Sequence, residues 1–458
     1  MDPVTHGLVG IAAGLTILAI AEPAAGEKTR RVAALVGLIT GELPDADRLI
    51  DTVARPYGAE GQGLAYMLYH RGPVHTVLFC LLAALLIAWL TQRFARTWSP
   101  ALPLLFGIAT AGSLAHLAMD AMNDYGVHPL WPYKRWFYGD FLFLAEPTIG
   151  AALLPYIVVM FRSKEESPLA RRLAWTAALG VLVFIGLVLG NQWLTPFGAV
   201  LSAVWLALQA YLQRRGPRPR IAWASMALVL LFFLATSQIA RGRATAWAQQ
   251  TAGEPPTDVV TTPAPANPFC WRVITVSGRG DTFAVHLGVT SLLPFLVDAS
   301  NCFAPPKGAT PHAACGIAQT KLSDDEKVGT LTIVQLAAYE RHFSDFDQMA
   351  RENPRVSATR HFLRVPFWGP DARGGARDCP IGCAPGRMVI GDLRVDYDPD
   401  DLTSFSKYSF LPKACEPGNL FLPVGDPPFF KPATIGTCPA PQPDSAAKRP
   451  TNSKLGLN

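Results

Sequence analysis

Ala101-Leu102-Pro103-Leu104-Leu105-Phe106-Gly107-Ile108-Ala109-Thr110-Ala111-Gly112-Ser113-Leu114-Ala115-His116-Leu117-Ala118-Met119-Asp120 carries no Asp, Glu, Lys or Arg until its last residue. A bilayer core of ~30 Å takes about 20 apolar residues in a helix, so this stretch predicts a membrane span. It ends on His116-x3-Asp120, and a spacing of four puts both side chains on one helix face. Ionisable groups at membrane depth are costly and mark functional sites by default. His and Asp are also ligand types of hydrolytic zinc sites. A single such pair fits equally an Asp that merely orients a His, so the other segment ends must decide.

Seven more apolar segments are predicted, at 5–21, 32–43, 74–92, 147–161, 173–190, 196–212 and 221–240, giving about eight with 101–120. The second is short and ends at Leu43-Pro44, as a half-helix inside a bundle does. The first resembles a signal peptide at Ala19-Ile20-Ala21, but it opens on Asp2 with no Lys or Arg, so it is expected to be retained.

The chain has 458 residues, of which 16% are charged, against roughly a quarter in soluble proteins. The deficit lies before residue 240, which predicts an α-helical polytopic membrane bundle followed by a soluble α+β or mainly β domain. The expected layout is a membrane domain at 1–243 carrying the site, a Pro/Ala/Thr linker at 244–268, a cysteine-rich domain at 269–436 and a disordered tail at 437–458. Strand-like runs fall at 271–276, 282–287, 362–367 and 388–395, and 331–351 has an amphipathic helical pattern.

The net charge of +5 invites a nucleic-acid partner, but the basic residues sit in short loops and form no stripe interleaved with aromatics. They set topology instead. Lys28, Arg30, Arg31, Arg93, Arg96, Arg162, Lys164, Arg171, Arg172, Arg214, Arg215, Arg218 and Arg220 follow alternate segments. The positive-inside rule puts these loops in the cytoplasm, with the segment ends bearing His and Asp, and the carboxy-terminal domain, facing outward. Seven of the eight cysteines lie after residue 269, a usage that independently suggests an oxidising compartment and at least two disulfides.

The same predicted face collects further candidates. His70-Arg71-Gly72-Pro73-Val74-His75 precedes the third segment, with Pro73 placed to start a helix and His75 in its first turn. His70 and His75 are candidates for ligand or base, and Arg71 for an anion clamp, although such a cluster can also simply cap a helix. Leu43-Pro44-Asp45-Ala46-Asp47 offers two carboxylates in a Pro turn; Asp47 serves equally well as a helix cap. His6 and Glu146 enter from the first and fifth segments. His128 and Asp140 read more simply as loop residues. Trp131, Tyr133, Trp136, Phe137 and Tyr138 form an interfacial belt or the wall of a headgroup site. His286, His312, His342 and His361 lack ligand spacing.

These elements resemble the YdjM-like family of membrane-bound metal-dependent hydrolases. Met1-Asp2-Pro3-Val4-Thr5-His6, Leu43-Pro44-Asp45-Ala46-Asp47, His70-Arg71-Gly72 with His75-Thr76, and His116 with Asp120 match in order over about residues 1–150. Asn267-Pro268-Phe269-Cys270-Trp271-Arg272-Val273 and Gly391-Asp392-Leu393-Arg394 are similar more weakly. The resemblance implies a distant kinship with zinc-dependent phospholipases C. It names His116 and Asp120 as metal ligands first, then Asp45, His70, His75 and Glu146, then His6. Leu142 stands four residues before Glu146 in place of a His, so the implied cofactor is one or two zinc ions rather than three.

The expected function is a membrane-bound hydrolase of phosphoesters such as lipid headgroups, with His70 or Asp47 as general base and membrane lipids as partners. An amidase or peptidase, or a non-enzymatic metal transporter or sensor, is the alternative. Ligands gathered at one rim favour hydrolysis, and ligands spread through the bundle favour transport.

Overall fold

The computed structural model describes residues 2–47, 71–133, 135–161, 195–303, 333–360, 363–370, 388–394, 408–410 and 422–423. Seven described helices build the amino-terminal half: α1 (Pro3–Ala21), α2 (Glu27–Glu42), α3 (Val77–Phe94), α4 (Leu102–Asp120), α5 (Pro147–Met160), α6 (Pro196–Gln213) and α7 (Pro219–Ala252). Five of them, α1, α3, α4, α6 and α7, are long and apolar enough to cross a membrane by length and composition. The predicted segment at 173–190 lies outside the described residues. Helix starts follow local chemistry. Asp2, Thr76 and Thr195 cap α1, α3 and α6 with side-chain oxygens, and prolines occupy the first turns of α1, α4, α5, α6 and α7.

Two predicted boundaries shift. α2 begins at Glu27, so the short segment gains a charged first turn and continues past Glu42 as a 3-10 turn, Leu43–Asp47. Pro73 opens only a 3-10 turn, Pro73–His75, and Thr76 starts the helix proper. His75 therefore precedes α3 rather than sitting in its first turn.

Glycines set the distances between α1, α2 and α4. A Cβ added at Gly10 would lie 2.2 Å from the Gly37 carbonyl oxygen, and one at Gly37 would lie 2.2 Å from that of Gly10. The two backbones are in contact there. Close approach through small residues is the general device of helix packing in membranes. His6 lies one turn before Gly10 and Gly41 one turn after Gly37, so the contact brings the start of α1 to the end of α2. Gly112 faces Thr40 with equally little room, which draws in α4 one turn before His116.

The carboxy-terminal half is α+β. Strands β1 (Asp258–Ala264), β2 (Asn267–Ser277), β3 (Thr282–Ser291) and β4 (Ile333–His342) form an antiparallel sheet in that order. Helices α8 (Phe343–Glu352) and α9 (Pro354–Thr359) follow. A second antiparallel sheet comprises β5 (Pro366–Pro370), β6 (Met388–Asp392), β7 (Tyr408–Phe410) and β8 (Leu422–Pro423). Phe346, Val356, Phe367, Trp368 and Ile390 pack with Val260, Ile274 and Leu287 in the domain core.

Residues 244–268 are not a linker. Residues 244–252 finish α7, β1 follows, and Ala266 turns the chain into β2 with φ 55°. Burial overrides the composition: Ala244, Trp247 and Ala248 are buried. The first sheet shares a core with the helices, since Trp271, Val273 and Leu292 pack in one cluster with Phe233, Tyr156 and Leu15. The helical reading of 331–351 holds only from Phe343; residues 333–342 are β4, where pairing with β3 outweighs the amphipathic pattern. One disulfide is present among the described residues, Cys270–Cys302, and Cys80 is a buried free thiol. The other five cysteines and the tail at 437–458 lie outside the described residues.

Candidate metal centre

Four side chains from three elements meet at one end of the bundle: Asp45 from the turn after α2, His75 from the turn before α3, and His116 and Asp120 from the end of α4. All four are buried, and each offers a ligand atom within 4.8 Å of the others. The pairwise distances are specific. His116 Nε2 lies 3.3 Å from His75 Nε2, 3.4 Å from Asp120 Oδ2 and 3.7 Å from Asp45 Oδ1. His75 Nε2 lies 3.5 Å from Asp120 Oδ2 and 3.6 Å from Asp45 Oδ1.

A tetrahedral ion with bonds of about 2.0–2.2 Å sets its ligands about 3.3–3.6 Å apart along each edge. Five edges of such a tetrahedron are thus present to within a tenth of an ångström or so. The donors, two imidazole nitrogens and two carboxylate oxygens, suit a divalent zinc-like ion.

The surroundings fix these donors. The Gly41 carbonyl oxygen lies 2.6 Å from His116 Nδ1. A carbonyl only accepts, so Nδ1 carries a proton and Nε2 is the nitrogen turned to the cluster. An outer hydrogen bond of this kind is how metal-binding imidazoles are commonly oriented. Asp120 divides its two oxygens. Oδ2 faces His75 and His116, whereas Oδ1 accepts from Arg71 Nη2 at 3.0 Å and lies 3.4 Å from His6 Nε2. The His6 ring stacks on His116 with centroids 3.6 Å apart. His6 therefore borders the four-donor set through the second oxygen of Asp120.

Two predicted roles change. Arg71 is buried and directs its guanidinium to Asp120 and to the Gly126 carbonyl, over the Tyr125 ring at 4.9 Å. It holds Asp120 in place instead of presenting a clamp to a ligand. Glu146 stands apart from the four-donor set. It caps α5, accepting from Thr148 through Oε1 and from the Ala266 N–H through Oε2. It therefore ties the bundle to the turn between β1 and β2. His70 lies outside the described residues. Asp47 ends the 3-10 turn, and its side chain is likewise outside the description. The Gly41 carbonyl and Tyr125 were not singled out from sequence, because a backbone oxygen has no residue signature and Tyr125 lay among other aromatics.

A second buried acidic cluster joins the loop after α4 to the carboxy-terminal domain. Asp140 accepts from Arg364 at 2.7 and 3.0 Å and from Arg241 at 2.7 Å, and Arg364 also bonds Asp258. Asp124 accepts from Thr262, and Arg394 donates to the Asp124 carbonyl and to Asp392. Burial pushes the Asp140 carboxyl above its ordinary value against the pull of Arg364. Burial alone would lower Arg364, but its hydrogen bonds to Asp140 and Asp258 carry it above its ordinary value. Asp140, a plain loop residue by sequence, is an anchor for the domain.

No curated protein and no solved structure matches the chain significantly. The amino-terminal region does match a family. Over residues 1–194, which carry every donor of the four-residue set, the chain matches the model of the YdjM inner membrane protein family.

Proposed function

We propose that the protein is a metal-dependent membrane hydrolase acting on phosphoesters of lipid headgroups. The observation that carries this reading is the near-tetrahedral spacing of Asp45, His75, His116 and Asp120 at one rim of the bundle. A bound divalent ion there supplies Lewis acidity, which makes water a better nucleophile and stabilises charge on the leaving oxygen. Arg71 and Gly41 hold Asp120 and His116 in their ligating poses. Sequence places two proton acceptors beside the donors, Asp47 after Asp45 and His70 before His75. The four-donor set needs one ion; a second would draw on His6 and Asp120 Oδ1.

The location supports a lipid substrate. The α4–α5 loop is fastened to the start of α3, with Val77 N–H donating to the Pro129 carbonyl. It carries exposed Leu130, Trp131, Tyr133 and Phe137, the residue types of a membrane–water interface. The described basic loops, around residues 28–31, 93–96 and 214–220, lie at the opposite end of the helices, which by the positive-inside rule supports a site and a carboxy-terminal domain facing away from the cytoplasm.

Four protein donors also favour a second reading. Catalytic zinc sites usually keep a position open for water, whereas structural sites are closed. A sensor or transporter that only holds the ion fits a filled tetrahedron. The discriminating experiment uses the purified full chain in nanodiscs. Metal content is measured by elemental analysis, then headgroup release is followed with and without chelator. Stoichiometric metal with chelator-sensitive release supports hydrolysis. Stoichiometric metal without release from any phospholipid supports metal holding, and absence of bound metal overturns both.

A further inference from the structure

We infer that the turn Leu293-Pro294-Phe295-Leu296, at one tip of the carboxy-terminal sheet, is immersed in the acyl region of the membrane leaflet on the domain's side. Helix α7 gives the depth scale. Residues 221–240 contain no charged side chain, and Arg220 and Arg241 bracket ~30 Å of helix, one hydrocarbon thickness. Phe232 lies ~13 Å along the helix before Arg241, within the apolar stretch. It meets Phe269, at the start of β2, with ring centroids 5.7 Å apart, and Phe197 of α6 meets the same ring at 6.1 Å.

The strands run along α7 toward that depth. Trp247 packs on His286 at 5.9 Å, well above Arg241. From Trp247 down to Phe232, α7 covers ~22 Å. From His286 to Leu292, the extended chain covers ~20 Å. Leu292 N–H donates to the Phe269 carbonyl at 2.7 Å, so the two paths arrive at the same level. Leu293–Leu296 follows directly on the end of β3, and Phe232, which meets Phe269 near that end, is itself 45% exposed.

The turn is apolar and partly paired within itself. Phe295 is 84% and Leu296 54% exposed. The N–H groups of Leu296 and Val297 both donate to the Leu293 carbonyl, and Pro294 has none to satisfy. Internal pairing of backbone groups is the condition for entering hydrocarbon. Cys270–Cys302 closes the base of the turn, and Arg243 donates to the Ser291 carbonyl above it. The surface continues the lipid-facing sides of α6 and α7, which identifies its occupant as acyl chains. This inference does not depend on the metal site.

The test places a tryptophan at the tip. Phe295→Trp and, separately, Leu296→Trp are reconstituted as full chains in liposomes, and the emission added over wild type is recorded. Phe343→Trp, at the far end of the same sheet where Thr282 pairs with His342, is the control. The added emission at 295 and 296 should be blue-shifted, lose most of its intensity to lipids brominated on the acyl chains, and resist aqueous iodide. The control should show the reverse. Iodide quenching at 295 and 296 with no effect of brominated lipid overturns the proposal. So does emission sensitive only to protein density in the liposome, which would mean that a second copy covers the turn.

Discussion

Buried carboxylates gather in two places in this molecule, and the bases that answer them differ. At the rim, Asp45 and Asp120 face the imidazoles of His75 and His116. In the second cluster, Asp140 and Asp392 face the guanidiniums of Arg364, Arg241 and Arg394. Arginine stays charged in proteins and satisfies a carboxylate bidentately, which closes the account locally. A neutral imidazole turns a lone pair toward the carboxylate and leaves the charge to be balanced by something else. The first pattern suits an ion and the second makes a fastening.

Five substitutions break or sharpen that contrast, in descending order of effect. His116→Ala and Asp120→Ala should each abolish metal retention by elemental analysis. Hydrolysis, where assayed, should fall by roughly a thousandfold, about 4 kcal/mol of barrier. Metal added to the apo wild type should raise its melting temperature, as any ligand of the native state does, and leave His116→Ala unmoved. Retained metal in either variant would dissolve the distinction.

Arg364→Leu leaves Asp140 to Arg241 alone and takes the guanidinium from half-exposed Asp258, and should cost at most about 3 kcal/mol, the low end of the penalty for breaking a buried pair. Thermal unfolding in detergent would show the loss, while metal stoichiometry should stay intact. Loss of metal as well would mean that the fastening and the ion site are one system.

Gly37→Ala tests the helix contact beneath the site. Its Cβ would meet the Gly10 carbonyl at 2.2 Å, so α1 and α2 must part, at about 1–3 kcal/mol of overpacking. Stability and metal affinity should fall together, because the same contact places His6 and Gly41. A titration showing native affinity in a destabilised protein would separate packing from the site.

Glu146→Gln should change least. It weakens a cap, for which ~1 kcal/mol is typical. Metal content by elemental analysis should equal wild type; a deficit would return Glu146 to the ligand set.

The helices and the core of the site were legible in the sequence for local reasons. A run such as 101–120 declares its span by length alone, and His116 and Asp120 declare a shared face by spacing. Asp45 and His75 were legible because they sit at ends of spans, where a polar residue is conspicuous. What escaped depended on distant partners. The bond of Arg364 to Asp140 joins residues far apart in the chain, and nothing near either one announces it. Glu146 looked like a ligand because its carboxylate enters the bundle, yet its second oxygen is taken by Ala266 from the other half of the molecule. The stretch 244–252 looked like a linker because its Ala, Thr and Gln are unremarkable until Trp247 lies against β3.

That last stretch bears on how the protein can be divided. Helix α7 leaves the bilayer without a break and supplies one wall of the first sheet. A soluble fragment beginning after residue 252 would present Trp271, Val273 and Leu292 to water, and a membrane fragment ending there would bare Phe233 and Trp247. Neither half is a portable module. Truncation, domain grafting and proteolytic excision should yield aggregating pieces, and any purification of this chain has to carry both halves through together.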